Sequence, residues 1–264
     1  MHPYITPSKL LAGKQFPVRC NIAIICLCPM PKYLEQFKTN TQTNDRLFVQ
    51  LHPNHVTFCQ YDDIDFIVCS EVYGGPVCAS TIEELYYYGV NCIIGIGFVG
   101  SIDDKYNIGD IVQATNTLSE RGTTPHYYDS EFIGGDENMM RIFDGLTTSA
   151  TIWTTNVIYR EYEHEVQEAK SKGCHVVNMD TSHLFAVCKS LNISYGYFAT
   201  VSDKLVNSND DACIDNANGD SNDSECSEWR NGLTKLIEND GEYESQNILI
   251  EMILGNFTSI CELL

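Results

Sequence analysis

The chain has 264 residues, 43% of them hydrophobic, and a formal charge of −20 at pH 7. That length suits one large α/β domain or two small ones with a substantial core. The acidic balance excludes a nucleic-acid partner, because phosphate backbones are held by clustered Lys and Arg. No apolar run approaches the ~18 residues of a membrane span, and the run at residues 22–27 is too short for the apolar part of a secretory leader, so a cytoplasmic protein with no membrane partner is expected.

Residues 21–27 form the first predicted strand, and a short helix follows over 32–38. Residues 47–51, 56–61 and 65–70 are predicted strands, joined by turns at 52–54 and 62–63. Gly74-Gly75-Pro76 opens a helix with proline at its first position; it buries Ile82, Leu85 and Tyr86 and ends near Gly89. A strand over 91–97 runs into the glycine-rich turn Gly95-Ile96-Gly97-Phe98-Val99-Gly100, and another strand spans 110–114. Then come a helix at 136–145, a strand at 150–154 and a charged helix over 159–172 that ends at Gly173. Residues 174–179 are a buried strand; Leu184, Phe185, Val187, Cys188 and Leu191 form an apolar helical stripe, and 194–201 is a further strand. Leu249, Ile253, Phe257, Ile260 and Leu264 recur at helical spacing in a last helix. No repeat or domain boundary interrupts this order. The expected fold class is α/β, a single domain over residues 1–264 with a mixed central β-sheet flanked by helices.

Between Asn207 and Glu228 lie seven carboxylates and no basic residue among many Asn and Ser, so residues 205–228 read as an acidic, solvated, mobile insertion. A calcium loop framed on Gly219 and Glu225 would start at Ile214, which cannot ligate calcium. The twelve cysteines are scattered through predicted elements; Cys59, Cys69, Cys92, Cys174 and Cys188 read as small core residues in a reducing compartment. Cys26-x-Cys28 would put two thiols on one strand face, where packing outweighs a metal or redox role, and no metal site is expected. In such a compartment the acceptor triplets at Asn192, Asn222 and Asn256 meet no glycosylation machinery.

Two aspartates carry the chemistry. Asp180 in Asn178-Met179-Asp180-Thr181-Ser182 and Asp203 in Thr200-Val201-Ser202-Asp203 each stand just past the carboxyl end of a predicted strand, the edge where α/β sheets bind ligands. Capping of the next element is the alternative for each, and Asp180 directly precedes a helix. Gly95-x-Gly97-x-x-Gly100 matches a dinucleotide fingerprint, but no helix follows Gly100, so a dinucleotide cofactor is not expected.

Residues 72–112 run Val-Tyr-Gly-Gly-Pro, a helix, Ile-Ile-Gly-Ile-Gly-Phe-Val-Gly-Ser and Asn-Ile-Gly-Asp-Ile-Val. With residues 153–161, Val177-Asn178-Met179-Asp180 and Val201-Ser202-Asp203 in the same order, the chain from about residue 20 onward resembles the nucleoside phosphorylase family, which includes purine nucleoside phosphorylase and uridine phosphorylase. The resemblance implies cleavage of the bond between ribose and base in a purine or pyrimidine nucleoside, with inorganic phosphate as co-substrate and no other cofactor. It puts Asp203 at the acid that protonates the departing base, Asp180 at the carboxylate that holds the ribose hydroxyls, where the family usually has glutamate, and Met179 beneath the sugar. Gly97 and Phe98 fall on the glycine segment of the site, and Thr123, His126 and Tyr127 on a loop similar to a substrate loop of the uridine phosphorylase-like branch. Arg160 faces the base by resemblance or solvent as part of a charged helix, and exposure is the alternative for His126. Tyr4 stands where relatives offer a histidine to an adjacent subunit, Arg230 is a candidate partner of Asp203, and His183 falls beside the core with no catalytic part.

The phosphate positions depart from the family pattern. Pro29 replaces a glycine and brings no N–H, Tyr33 and Gly95 stand at two arginine positions, and Phe98 stands at a hydroxyl position. Lys32 and Arg46 are the cations left as candidate phosphate ligands, and Arg46 matches one that in some relatives reaches a neighbouring subunit. Charge-assisted hydrogen bonds contribute about 1.5–3 kcal/mol each, so these losses remove several kcal/mol of phosphate affinity. The leading expectation is a phosphorylase of nucleoside salvage with a shifted or weakened phosphate site; hydrolysis with Glu35 or Glu71 as base and binding without turnover are the alternatives, and a homodimer or hexamer is expected by resemblance.

Overall fold

The first strand, β1 (Ile22–Cys26), is apolar throughout because both of its faces are covered. Ala23 and Ile25 join one buried cluster, while Ile22, Ile24 and Cys26 join another on the opposite side of the sheet. A strand buried on both faces shows no polar alternation. The computed structural model describes residues 3–41, 46–205 and 244–264. The acidic stretch 206–228, its calcium frame and Arg230 lie outside the described residues.

Among the described residues nine strands form one mixed sheet. β1 pairs in parallel with β3 (Ile64–Cys69) and with β4 (Cys92–Ser101). β2 (Val56–Tyr61) forms an antiparallel hairpin with β3, whose turn residues Asp62 and Asp63 both have positive φ, as a tight hairpin turn demands. β4 also pairs with β8 (Val176–Asn178) and β9 (Ser194–Lys204); β9 pairs with β5 (Ile111–Leu118), β5 with β7 (Thr148–Thr154), and β7 with β8. These five strands close a small barrel, with β6 (Phe132–Gly134) added outside β5. Helices α3 (Gly75–Tyr87) and α6 (Thr181–Leu191) cover one face through Ile82, Leu85, Leu184 and Phe185. The other face is covered by α4 (Glu137–Ile142), α7 (Glu244–Gly255) and α8 (Phe257–Cys261) through Met139, Leu249, Ile253, Phe257 and Ile260. Short helices α1 (Pro7–Leu10) and α2 (Lys32–Glu35) and the charged α5 (Glu163–Ser171) complete the single α/β domain. Among the described residues no helix is long and apolar enough to cross a membrane.

Several sequence expectations are corrected. Residues 47–51 are not a strand: Leu47, Phe48 and Leu51 are buried, but the backbone is bent and its polar groups go to side chains. Tyr88 Oη donates to the Leu47 carbonyl, and the Glu84 carboxylate accepts the Val49 N–H. The segment 95–100 is not a turn but the continuation of β4, and none of Gly95, Gly97 and Gly100 has positive φ. β9 extends through Asp203, so that residue lies within a strand and not after it. The charged helix begins only at Glu163, after a 3-10 turn over Ile158–Arg160, and the last helix breaks at Asn256 into two. Tyr86 is half exposed rather than buried.

Candidate active site

The cleft arises from β4 changing partners. Its first half pairs with β1 as far as Cys26 opposite Ile96, and its last residues pair with β8, with Gly100 opposite Val177. β1 is parallel to β4 and β8 antiparallel, so their carboxyl ends approach each other head-on and leave a gap beside Phe98. The gap opens into a cleft of about 530 Å³ lined by Leu27, Phe98, Val99 and Gly100, by Val177 to Asp180, and by Tyr73 and Glu161. Strand ends at such a switch point are a recurrent place for ligands.

Asp180 stands at the N-cap position of α6, yet its carboxylate makes no capping bond. Asn178 takes that part: its Oδ1 accepts the N–H groups of Asp180 (3.2 Å) and Thr181 (3.3 Å), and Thr154 Oγ1 accepts that of Ser182 (3.0 Å). The Asp180 carboxylate is thereby released from the helix and turned into the cleft, only 8% exposed, with the Gly74 N–H as its backbone partner. Burial pushes its pKa up to about 7, and the Gly74 hydrogen bond opposes that only in part.

Asp203 reaches the same cleft through a β-bulge. Val99 pairs with Val201 and Gly100 with Asp203, which leaves Ser202 as the extra residue. Bulges re-aim side chains in this way. Ser202 Oγ donates to Asp203 Oδ1 at 2.5 Å, and Asp203 Oδ2 sits 3.0 Å from where a Cβ on Gly100 would be, so any side chain there would press on the carboxylate. Burial raises the Asp203 pKa, with the Ser202 hydrogen bond acting the other way. Across the cleft, Glu161 is half-buried between the 3-10 turn and α5; burial first, and the charge of Asp203 second, push its pKa up to about 7. A carboxyl that keeps its proton near pH 7 can deliver it to a leaving group, while an ionised one can grip hydroxyls.

The structure thus brings Asp180, Asp203, Met179 and Phe98 together in one cleft. Gly97 lies just behind the wall, where an added Cβ would come within 2.7 Å of Tyr197 Oη. Thr123, His126 and Tyr127 are not in the cleft; they line a separate shallow depression against Pro76, Ala79 and Ser80 of α3, with His126 exposed and Tyr127 Oη bonded to Glu83. Arg160 is exposed on its 3-10 turn beside the rim residues Ile158, Tyr159 and Glu161. The Arg46 guanidinium donates to the carbonyls of Phe48 and Val49, and Lys32 is exposed at the start of α2; neither lines the cleft. Tyr4 is exposed, and Glu35 and Glu71 lie at the surface beside Lys38 and His55. Sequence reasoning missed Glu161, Ser202 and Tyr73. Glu161 stood in a quoted motif next to Arg160, but it read as one more charge on a helix face.

Phosphate ligands are lacking at the positions where relatives would have them. Tyr33 Oη donates to Glu251 on α7 at 2.7 Å, so this side chain ties the first loop to the last helices. An added Cβ on Gly95 would lie 2.5 Å from Leu184 Cδ1 and 2.8 Å from Tyr197 Cδ2, so those two side chains fill the path of any long residue there. No Lys or Arg is among the described residues that line the cleft.

A larger cavity of about 930 Å³ lies between β7 and α5 and contains none of the sequence-predicted residues. The buried carboxylate on its wall, Glu120, already accepts from the N–H groups of Gly122 and Thr124 and from Asn156 Nδ2. These backbone hydrogen bonds and the nearby His183 outweigh burial and hold its pKa below the usual carboxylate range. His183, buried against Thr124 and Asn156, completes this clamp of the 120–126 loop onto α6.

The sequence comparisons give this α/β barrel and its cleft a family. Residues 23–237 match the phosphorylase superfamily, and the chain belongs to it. It is 43% identical over 256 residues to an uncharacterized protein of Acanthamoeba polyphaga mimivirus, covering 96% of this chain and 97% of that one. It is 26% identical over 179 residues to a guanosine phosphorylase of Halorubrum lacusprofundi, covering 63% of this chain and 72% of that enzyme. Against a uridine phosphorylase of Haemophilus influenzae it is 24% identical over 157 residues, 51% of this chain and 62% of that enzyme.

Proposed function

We propose that the protein cleaves the N-glycosidic bond of a nucleoside, in the manner of its phosphorylase relatives but with water in place of phosphate as the acceptor. The observation that carries this reading is that Asp180 and Asp203 line one cleft whose described walls hold three carboxyl groups and no cation. As the bond breaks, the sugar becomes oxocarbenium-like and the base gains electron density. Asp203 supplies a proton to the base, Asp180 accepts hydrogen bonds from the ribose hydroxyls, and Met179 packs beneath the sugar. Carboxylates stabilise a cationic sugar and repel a phosphate dianion.

Phosphorolysis is the second reading, favoured by the cleft rim, where Tyr73, Ile158 and Tyr159 are exposed and Tyr159 is 90% so. A homo-oligomer, dimer or hexamer, that covers this rim could bring in Arg46 from another copy. Incubation with a panel of purine and pyrimidine nucleosides, with and without phosphate, and detection of free base separates the readings. Base release at equal rate in both conditions is expected. Release only with phosphate overturns the water acceptor, and tight binding without release overturns the enzyme reading altogether. A part in nucleoside salvage in the cytoplasm follows from this reading.

A further inference from the structure

Relatives' motifs account for Asp180 and Asp203 but leave a third cleft carboxyl without a part. We propose that Glu161 is a further residue of the acid machinery: it stands across the cleft from Asp203, and the two carboxyls work as a pair holding the one proton that the departing base receives. The pairing is geometric. Asp203 enters from the barrel at the bulge in β9, Glu161 from the turn that precedes α5, and both line the same cavity. No lysine, arginine or histidine is among the described residues that line it to neutralise either one. The groups facing Glu161 are Asp203 and Glu165, and each raises its proton affinity; Asp203 itself is raised by burial and opposed by the Ser202 hydroxyl. The remaining titratable groups on the walls are Asp180, Tyr159 and Tyr73, the last pushed up by burial to about 12 and so neutral throughout the working range.

Two carboxyls in one low-dielectric space cannot both ionise freely, so the pair takes up its first proton more readily than either would alone. That is the condition an acid needs to be charged with a proton at neutral pH. When the C1′–N bond breaks, its electron pair goes to the base nitrogen, which takes the proton from the pair. Water adds its oxygen to C1′, and the proton it sheds returns to the pair through solvent. The inference rests on reading the cleft as a nucleoside site, and the test keeps the two apart.

Glu161→Gln removes the neighbouring charge and leaves the shape, so Asp203 holds its proton only at lower pH. With natural nucleosides, kcat at pH 7.5 should fall about tenfold or more, and the alkaline limb of the pH profile should move to lower pH by about one unit. With p-nitrophenyl riboside, whose leaving group needs no proton, the loss should be several-fold smaller than with natural nucleosides. Equal losses on both substrates with an unmoved limb would overturn the proposal in favour of a structural part. Carbon-13 titration of the side-chain carboxyls supplies a readout free of catalysis: two well-separated steps are expected in the wild type, with the upper one absent from Glu161→Gln. Two ordinary carboxyl titrations overturn the pair even in an active protein. The expected titration in a protein that cleaves no nucleoside retains the pair and overturns the nucleoside reading instead.

Discussion

Replacing Asp180 with asparagine separates a residue kept for chemistry from one kept for structure, because the two roles predict opposite signs. If the carboxylate were a helix cap, its loss would destabilise the fold by about 0.5–2 kcal/mol. In the structure Asn178 and Thr154 serve those N–H groups, and Asp180 is buried with its pKa raised from 3.8 to about 7. A pKa raised on folding means that the native state binds the proton more tightly than the unfolded chain does. Stability linked to this group is therefore fully present below about pH 4 and is lost as pH rises through about 7. At about 1.4 kcal/mol per pH unit, the cost of holding the ionised group in the fold is on the order of 4 kcal/mol at pH 8. Asparagine carries no such charge, and its amide oxygen can still accept from the Gly74 N–H. Asp180→Asn should then match the wild type near pH 4 and exceed it by as much as about 4 kcal/mol at pH 8, while losing affinity for the ribose. Urea denaturation at the two pH values, beside KM measurements, tests both halves. A variant less stable than wild type at pH 8 would refute the reasoning and return Asp180 to a structural role.

Asp203→Asn should lower base release by about 10²–10⁴-fold, the usual contribution of a positioned acid, with circular dichroism and the melting temperature showing an intact fold. Gly100→Ala places a methyl group 3.0 Å from Asp203 Oδ2 and 3.1 Å from Leu205 Cδ1, so kcat should fall by about tenfold or more as the carboxylate is displaced; an unchanged kcat would show that the position of Asp203 does not matter. Gly95→Ala meets Leu184 and Tyr197 at 2.5 and 2.8 Å and should destabilise by about 1–3 kcal/mol in thermal or urea unfolding. Rates of this variant should remain independent of phosphate.

The parts of the fold that the sequence made legible are those whose neighbours impose the same demand as their own pattern. The run at Ile22–Cys26 and the stripe through Leu184, Phe185, Val187 and Cys188 are covered by the core on the sides their spacing implies. Residues 47–51 misled because burial of Leu47, Phe48 and Leu51 is a strand-like signal that irregular backbone can satisfy once Tyr88 and Glu84 take its polar groups. The glycines at 95, 97 and 100 misled for the converse reason. They are small because Leu184, Tyr197 and Asp203 press against them, and nothing in their own backbone requires a turn. Glu161 stood in a motif but carried no sign of its part, since its place depends on a turn that ends at Arg160, three positions before α5 begins, and on a partner 42 positions away.

The altered phosphate positions make sense together with that third carboxyl. A unit charge about 4 Å from another is opposed by about 4 kcal/mol at an effective dielectric of 20. A phosphate dianion entering beside ionised Asp180, with Asp203 and Glu161 sharing one proton, meets at least two such terms. Charge-assisted bonds from two arginines would offset much of that, but Tyr33 spends its hydroxyl on Glu251 and Gly95 is wedged behind Leu184 and Tyr197. An oxocarbenium-like sugar responds in the opposite sense, since each carboxylate that repels phosphate also stabilises the cation. On the proposed reading, the lack of cations and the presence of Glu161 act on one cleft in one direction, away from an anionic acceptor and towards a neutral one.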